Sequence, residues 1–383
     1  MLTHSLLNVI PERRARASLF SPFAWGQTLT YVRFWLADCK FNQTACRILK
    51  AKGKFSEMLL HPPRTIPTLH KPPRLQKGDS VLIIAPASPP SSEDIVTKAS
   101  AYLSDAGFHV VIGANARERN GFLAGLDSQR LADLTEAFSS PSIKAIFCLR
   151  GGYGSGRIIN ALPFQELGKH PKIFIGSSDL TSILCGCALD GHIHSFHGPT
   201  LESLISDSCQ KFTATSMMQT ITGHPESVGS ILRGYQGTTP IESLSPGITT
   251  GRLVGGNLSL LASLIGTRFF PSFDDSILFL EDVAEAPYRI DRLLTQLLNV
   301  GALQRVRGFA LGLFERCEYR PSEARNRQTL RDVLVERLTP LGKPIVVGLP
   351  FGHSPYNVTL PVGALATLDA DAGDLAIDEM PVV

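Results

Sequence analysis

The chain has 383 residues, 43% hydrophobic and 19% charged, which is apolar material enough for two globular domains and excludes disorder as the main state. No apolar run approaches the roughly 18 residues of a spanning helix, and a net charge of +3 is too small to indicate a nucleic-acid partner. Seven cysteines, an odd number without a CxxC pair, describe neither a disulfide framework nor a zinc site, so a reducing compartment is the simpler reading.

Charge is uneven along the chain. Residues 1–77 hold 13 Lys/Arg against 3 Asp/Glu, whereas the remainder holds 24 against 31. The first stretch carries Arg13, Arg14 and Arg16, then an apolar-aromatic patch from Leu19 to Trp25. It ends in a tract with Pro62, Pro63, Pro67, Pro72 and Pro73 that reads as an extended linker. An acid-poor, Arg-bearing start fits a targeting segment, but Gln27, Thr28, Thr30 and Arg33 interrupt the patch as a signal core. The plainer readings are a poorly ordered extension over residues 1–75, or translated upstream sequence ahead of a start at Met58.

From residue 78 the pattern becomes regular. Ser80–Ala87 (SVLIIAPA) is an apolar run fit for a buried parallel strand, and Glu93–Ala106 reads as a helix that exits at Gly107. His109–Gly113 is the next strand, Ser128–Ser139 a helix, Lys144–Leu149 a strand and Gly156–Leu162 a short helix. Lys172–Gly176 is a strand and Leu180–Ala188 a helix. Strand–helix alternation at this spacing predicts a parallel sheet covered on both faces, a Rossmann-like or flavodoxin-like α/β domain over residues 76–205. Ligands on such sheets bind beyond the carboxyl ends of the strands, here after Leu149 and Gly176.

Residues 206–250 are rich in Ser, Thr and Gly with weak periodicity, and read as a linker. A smaller C-terminal α/β domain, residues 251–383, is expected to follow. It has helices at Leu258–Leu264, Tyr288–Asn299 and Asn326–Leu338, and strands at Ser276–Leu280, Phe309–Phe314 and Pro344–Gly348. The Tyr288–Asn299 helix has an apolar face that packs either on the core or on a second copy, so a homodimer stays open.

Three places could carry chemistry. In Ile173–Leu180 (IFIGSSDL) an apolar strand runs through Gly176 into two serines and straight into a helix, the layout of a nucleophile elbow; the plain reading is a helix cap. In Arg150–Arg157 (RGGYGSGR) successive glycine amides could cradle a phosphate or an oxyanion, or merely turn the chain. Glu281 and Asp282 end one strand, and His353 follows another. Together these supply the base that a serine nucleophile needs and the acid that orients it. His192, His194 and His197 resemble metal ligands in spacing, but only His192 and His194 would share a strand face and no fourth ligand is near, so no metal is expected. Cys185 and Cys187 lie on an apolar helix and read as core.

Several segments, in order, resemble the LD-carboxypeptidase family of serine peptidases, which includes muramoyltetrapeptide carboxypeptidases and microcin self-immunity peptidases. They are Gly78–Ser88 (GDSVLIIAPAS), Leu149–Gly154 (LRGGYG), Gly176–Thr181 (GSSDLT), Gly255–Thr267, Leu280–Gln296 and Gly348–Gly363 (GLPFGHSPYNVTLPVG). The resemblance spans about residues 76–375. It implies Ser178 as nucleophile, with Ser177 replacing the family's aromatic residue, His353 as base and Glu281 as acid. It implies an oxyanion hole from the backbone amides of Gly152 and Asp179. The implied substrate is a murein tetrapeptide, cut before its terminal D-alanine in the cytoplasm and without a cofactor. Arg150, Tyr153, Arg157 and Arg289 are candidates for binding the substrate, the arginines for its free carboxylate. A peptide–nucleotide substrate and a non-catalytic nucleotide binder are the alternatives.

Overall fold

The computed structural model describes residues 61–320 and 327–383, all within one compact unit. The expectations for residues 1–60 lie outside it. Five strands build the first sheet in parallel: β1 (Ser80–Ile84), β2 (His109–Ile112), β3 (Ile143–Cys148), β4 (Ile173–Gly176) and β5 (Ser195–His197). Their spatial order, 2-1-3-4-5, is the flavodoxin-like one, whose crevice opens between β1 and β3 where the strand order reverses. β1, β3 and β4 are nearly continuous buried apolar runs because helices cover both faces. The helices are α1 (Asp94–Asp105), α2 (Asp127–Ser139), the short α3 (Ser155–Ile158) and α4 (Phe164–Lys169), and α5 (Thr181–Leu189). All nine residues of α5 are buried, as expected of a helix that is apolar all round. Cys185 and Cys187 are accordingly in the core.

The chain continues through α6 (Leu201–Leu204), α7 (Lys211–Thr222), β6 (Gly229–Ser230), β7 (Glu242–Ser245), β8 (Ile248–Asn257) and α8 (Leu258–Ser263). Then come β9 (Ser276–Val283), α9 (Pro287–Asn299), β10 (Gly308–Glu315), α10 (Leu330–Leu338), β11 (Ile345–Gly352), β12 (Leu360–Val362), β13 (Leu365–Asp369) and β14 (Asp374–Ile377). The second sheet has eight strands in the order β6-β14-β13-β8-β9-β10-β11-β7, with β8 to β11 parallel and the flanks antiparallel. The C-terminal half, expected to be the smaller, thus carries the wider sheet. The apolar face of α9 (Ile290, Leu294, Leu297) is buried in the core.

The two halves interlock. β12, which lies in sequence between β11 and β13 of the second sheet, pairs antiparallel with β5 at the edge of the first, Leu360 opposite His197 and Val362 opposite Ser195. One hydrophobic cluster runs through both halves, joining Ile183 and Leu184 of α5 to Leu258, Leu261 and Phe269. The Asn257 amide donates to Thr181 Oγ1 at 3.1 Å, tying the end of β8 to the start of α5.

Two expectations need correcting. The stretch 206–250 is no plain linker, since it holds α7 and strands of the second sheet. Its helix was hidden because two of the four inward positions of α7 are threonines (Thr213 and Thr220, beside Met217 and Ile221), which blur the apolar period. The end of the extension, residues 61–75, follows a defined path as a strap across both halves. The Arg64 amide donates to the Phe270 carbonyl at 3.0 Å, the His194 amide to the His70 carbonyl at 3.0 Å, and the Val383 amide to the Pro72 carbonyl at 3.0 Å. The Arg64 guanidinium reaches Asp190 Oδ1 at 2.5 Å and the Leu189 carbonyl at 3.0 Å, and Arg268 holds the other oxygen of Asp190 at 2.8 Å. Asp190 is nearly buried, so losing a donor there leaves a poorly solvated carboxylate. Arg64→Ala should therefore destabilise the protein by about 1–2 kcal/mol and lower the melting temperature by a few degrees; calorimetry checks this.

Candidate active site

The elbow at the end of β4 is built by the backbone. Ser177 continues the extended strand and is buried, whereas Ser178 turns into the left-handed region at φ 61°. A non-glycine residue there costs of order 1 kcal/mol or more, and such strain persists only where the surroundings enforce it. The Leu180 amide donates back to the Ser177 carbonyl at 3.2 Å and starts the turn into α5. Ser178 is thereby lifted above the carboxyl ends of the central strands.

The glycine loop after β3 lies against this serine. A Cβ on Gly151 would fall 2.8 Å from Ser178 Cβ and 3.2 Å from its Oγ, so only glycine allows this approach. Three side chains hold the loop. Ser88, just past β1, donates its amide to the Gly151 carbonyl at 3.0 Å, and its hydroxyl accepts from the Tyr153 amide at 3.1 Å. Ser155 donates its amide to Asp179 Oδ2 at 2.8 Å and its hydroxyl to the Asp179 carbonyl at 2.6 Å. Arg130, buried on α2, donates to the carbonyls of Pro86 and Gly154, both at 2.8 Å. Burial pushes the Asp179 carboxyl up despite the donors from Ser155, which suits a structural strut. Among the described residues the amides of Gly152 and Asp179 find no acceptor, leaving both donors for a ligand.

The other half supplies an acid–base pair. Glu281 and Asp282 are successive residues of β9, so their side chains face opposite ways. Asp282 takes donors from the Ser259 amide at 2.9 Å, the Ser259 hydroxyl at 2.7 Å and Asn257 Nδ2 at 3.1 Å, and serves as a brace for α8. Glu281 is fully buried, and its Oε2 lies 2.7 Å from His353 Nδ1. Gly352 makes that contact feasible: its φ is +116°, and a Cβ there would crowd the Glu281 carboxylate at 3.2 Å. Asn357 Oδ1 accepts from the Gly352 amide at 3.1 Å and closes the loop that carries His353. Burial alone would favour neutral forms of both groups. Their hydrogen bond and charge attraction outweigh it, so Glu281 is held below its ordinary value and His353 above 6.5. With Nδ1–H donating to Glu281, the lone pair of Nε2 is left to accept a proton.

Ser178, Gly151, Gly152, Arg150 and His353 line one cleft of about 550 Å³ between the halves. Ser178 and His353 thus share a cavity, although among the described residues the Ser178 hydroxyl makes no hydrogen bond. Hydrogen bonds across a cleft often tighten only with a ligand bound. Arg150 stands at the rim, 4.0 Å from Glu202. Tyr153 is exposed, edge-on to Phe122, and Arg289 on α9 is paired with Glu285; neither lines the cleft. Arg157 pairs with Asp127. Among the described residues no three His, Cys, Asp or Glu side chains form a metal-holding group, and no helix is long and apolar enough to cross a membrane. His194 and His197 are buried in the interior.

Sequence reading missed Arg130, Ser155 and Asn357 as supports. Arg130 had a signal: it shares a helix face with Leu134, Ala137 and Phe138, where an arginine is out of place unless it is bound.

The LD-carboxypeptidase N-terminal domain model matches residues 81–198, and the LD-carboxypeptidase C-terminal domain model matches residues 250–368. A probable murein peptide carboxypeptidase of Bacillus subtilis is 37% identical over 301 residues, 78% of this chain and 92% of that protein. A muramoyltetrapeptide carboxypeptidase structure from Oxalobacter formigenes superposes with a TM-score of 0.67 at 31% identity, covering 79% of this chain and all of that one. A microcin C7 self-immunity protein in complex with aspartyl sulfamoyl adenosine gives a TM-score of 0.73 at 22% identity, covering 82% and 100%, which is a likeness of fold.

The buried pair has a pH signature. The raised His353 contributes stability that is full below 6.5 and is lost as pH rises through its folded value. The lowered Glu281 contributes stability that is full above 4.5 and is lost as pH falls through its folded value. The pair should therefore contribute most between these two reference values. NMR titration should find His353 above 6.5, and in Glu281→Gln, where only the weaker pull of Asp282 opposes burial, below 6.5.

Proposed function

This chain belongs to the LD-carboxypeptidase family, and we propose that it removes the terminal D-alanine from murein tetrapeptides through a Ser178–His353–Glu281 triad and an acyl-enzyme. The observation that carries this reading is the 2.7 Å bond between Glu281 and His353 at the cleft lined by Ser178. His353 Nε2 takes the Ser178 proton as Oγ attacks the carbonyl carbon of the scissile bond. Glu281 keeps the imidazole in the required tautomer and steadies the imidazolium that forms. The amides of Gly152 and Asp179 donate to the oxyanion as the carbonyl becomes tetrahedral. D-Alanine leaves with the proton from His353. Water, activated by the same imidazole, then releases the shortened peptide and restores Ser178.

Arg150 is the cation at the cleft rim suited to the free carboxylate of the substrate, and its partner Glu202 lies far enough away to yield it. The proposed domain arrangement, a nucleophile half over 76–205 and an acid–base half over 251–383, requires the two to be docked for turnover. The murein reading takes precedence over a peptide–nucleotide one because the murein-processing relatives reach 31–37% identity.

Ser178→Ala should lower D-alanine release from a murein tetrapeptide by on the order of 10⁴-fold or more and abolish labelling by a fluorophosphonate. D-Alanine release at the wild-type rate by Ser178→Ala would refute the triad. Release of nucleotide from a peptide–nucleotide conjugate, without D-alanine release from tetrapeptide, would move the substrate to the other class.

A further inference from the structure

Two buried polar groups near the acid–base pair are unspent. Glu281 gives Oε2 to His353, but its Oε1 is buried and has no hydrogen-bond partner among the described residues. His197, at the end of β5, is wholly buried, and neither of its ring nitrogens has a partner among the described residues. A neutral imidazole always carries one N–H, and a carboxylate oxygen always accepts. Each group left alone is costly in an apolar interior, and each calls for a physical reason.

The two groups are near enough that the charge of each acts on the other. The His197 ring sits edge-on to Phe279, 5.4 Å between centroids, and to Phe351 at 6.5 Å, and those two rings are 5.9 Å apart. Phe279 and Glu281 are alternate residues of β9 and face the same way. Phe351 precedes His353 by two positions on the strand that delivers it. A leucine or phenylalanine would fill this aromatic slot without leaving a polar atom stranded. The backbone of His197 also pairs with Gly176, at the root of the nucleophile elbow, and with Leu360. The residue thus reaches from the serine half into the wall behind Glu281.

We propose that His197 is a positioning residue, whose ring N–H serves the free oxygen of the Glu281 carboxylate through a local shift of the two side chains within the docked halves; this rests on the triad reading above. Glu281 then accepts from two imidazoles, one from each half, and is fixed in the plane that orients His353. A charge on His197 would spoil this by repelling the His353 imidazolium. Burial, against the pull of Glu281, lowers His197 to about 4, so the ring stays neutral where His353 titrates. The other groups acting on the pair are Asn257, whose side chain favours the charged form of Glu281, Asp282, which favours the charged form of His353, and Arg316, which disfavours it.

The test compares His197→Phe, which fills the slot without a donor, with His197→Gln and His197→Asn, which keep one. His197→Phe should leave KM unchanged and lower kcat on a murein tetrapeptide about tenfold or more. Without the second donor the Glu281–His353 pair holds its shared proton more tightly. The acid limb of kcat/KM should therefore move to higher pH by roughly half a unit, and one of the amide variants should restore both. Wild-type kcat and an unmoved acid limb in His197→Phe, with Ser178→Ala inactive, would overturn the positioning role alone. An active Ser178→Ala would overturn the triad and this inference with it. Should His197→Phe not fold, ¹⁵N NMR of the wild-type fluorophosphonate adduct decides. A His197 ring N–H shifted from its free-enzyme position, and returned to it by Glu281→Gln, supports the bond; a resonance indifferent to both overturns it.

Discussion

The antiparallel pairing of Leu360–Val362 with Ser195–His197 is the contact on which the site depends. The strand before His353 belongs to the eight-stranded sheet, and the strand after it belongs to the six-stranded one. The loop carrying the imidazole is therefore pinned at both ends to different halves. Its position cannot drift relative to the Ser178 elbow unless the ladder at Leu360 opens. The bond from Asn257 to Thr181, the shared hydrophobic cluster and the 61–75 strap reinforce the same docking from other sides. A site divided between halves of a chain needs such redundancy, because displacements of an ångström are costly to a reacting geometry.

Within that frame, electrostatics decides the roles. A fully buried carboxylate without compensation would take up a proton, yet Glu281 stays charged because His353 lies against it. The same contact orients the imidazole and leaves its Nε2 uncommitted to Glu281. Asp282, one residue further, is buried as well, but its donors are Ser259, Asn257 and the Val283 amide of its own half, so it braces α8 and acts on His353 only through its charge. Two adjacent carboxylates thus separate, by the faces they occupy, into one that braces α8 and one that meets His353. On the serine side, Arg130, Ser88 and Ser155 hold the glycine loop rigid while the Gly152 and Asp179 amides stay unspent. That is the preorganisation expected of a site that stabilises developing charge.

Much of this was legible in the sequence. The buried strands β1, β3 and β4 announce themselves as apolar runs, and the Gly-Ser-Ser-Asp turn after β4 carries its own geometry. Glu281 and His353 were visible as a carboxylate and an imidazole at strand ends, but their contact spans 72 positions and follows only from the sheet register. The crossing of β12 into the first sheet was not legible, since a three-residue strand has no period and its partner is remote. The path of 61–75 was hidden by proline-rich composition, which reads as linker even where tertiary bonds fix it. His197 looked like part of a metal-type triplet; its isolation in an aromatic slot appears only in three dimensions.

The central claim is that Ser178 and His353 act as one unit across the docked halves. A double-mutant cycle on D-alanine release measures this directly, with Ser178→Ala, His353→Ala and the pair compared with wild type. A unit predicts that the double variant is no slower than Ser178→Ala within a few-fold, because the first loss already removes the function of the second residue. Losses that multiply would show two independent contributions and contradict the account.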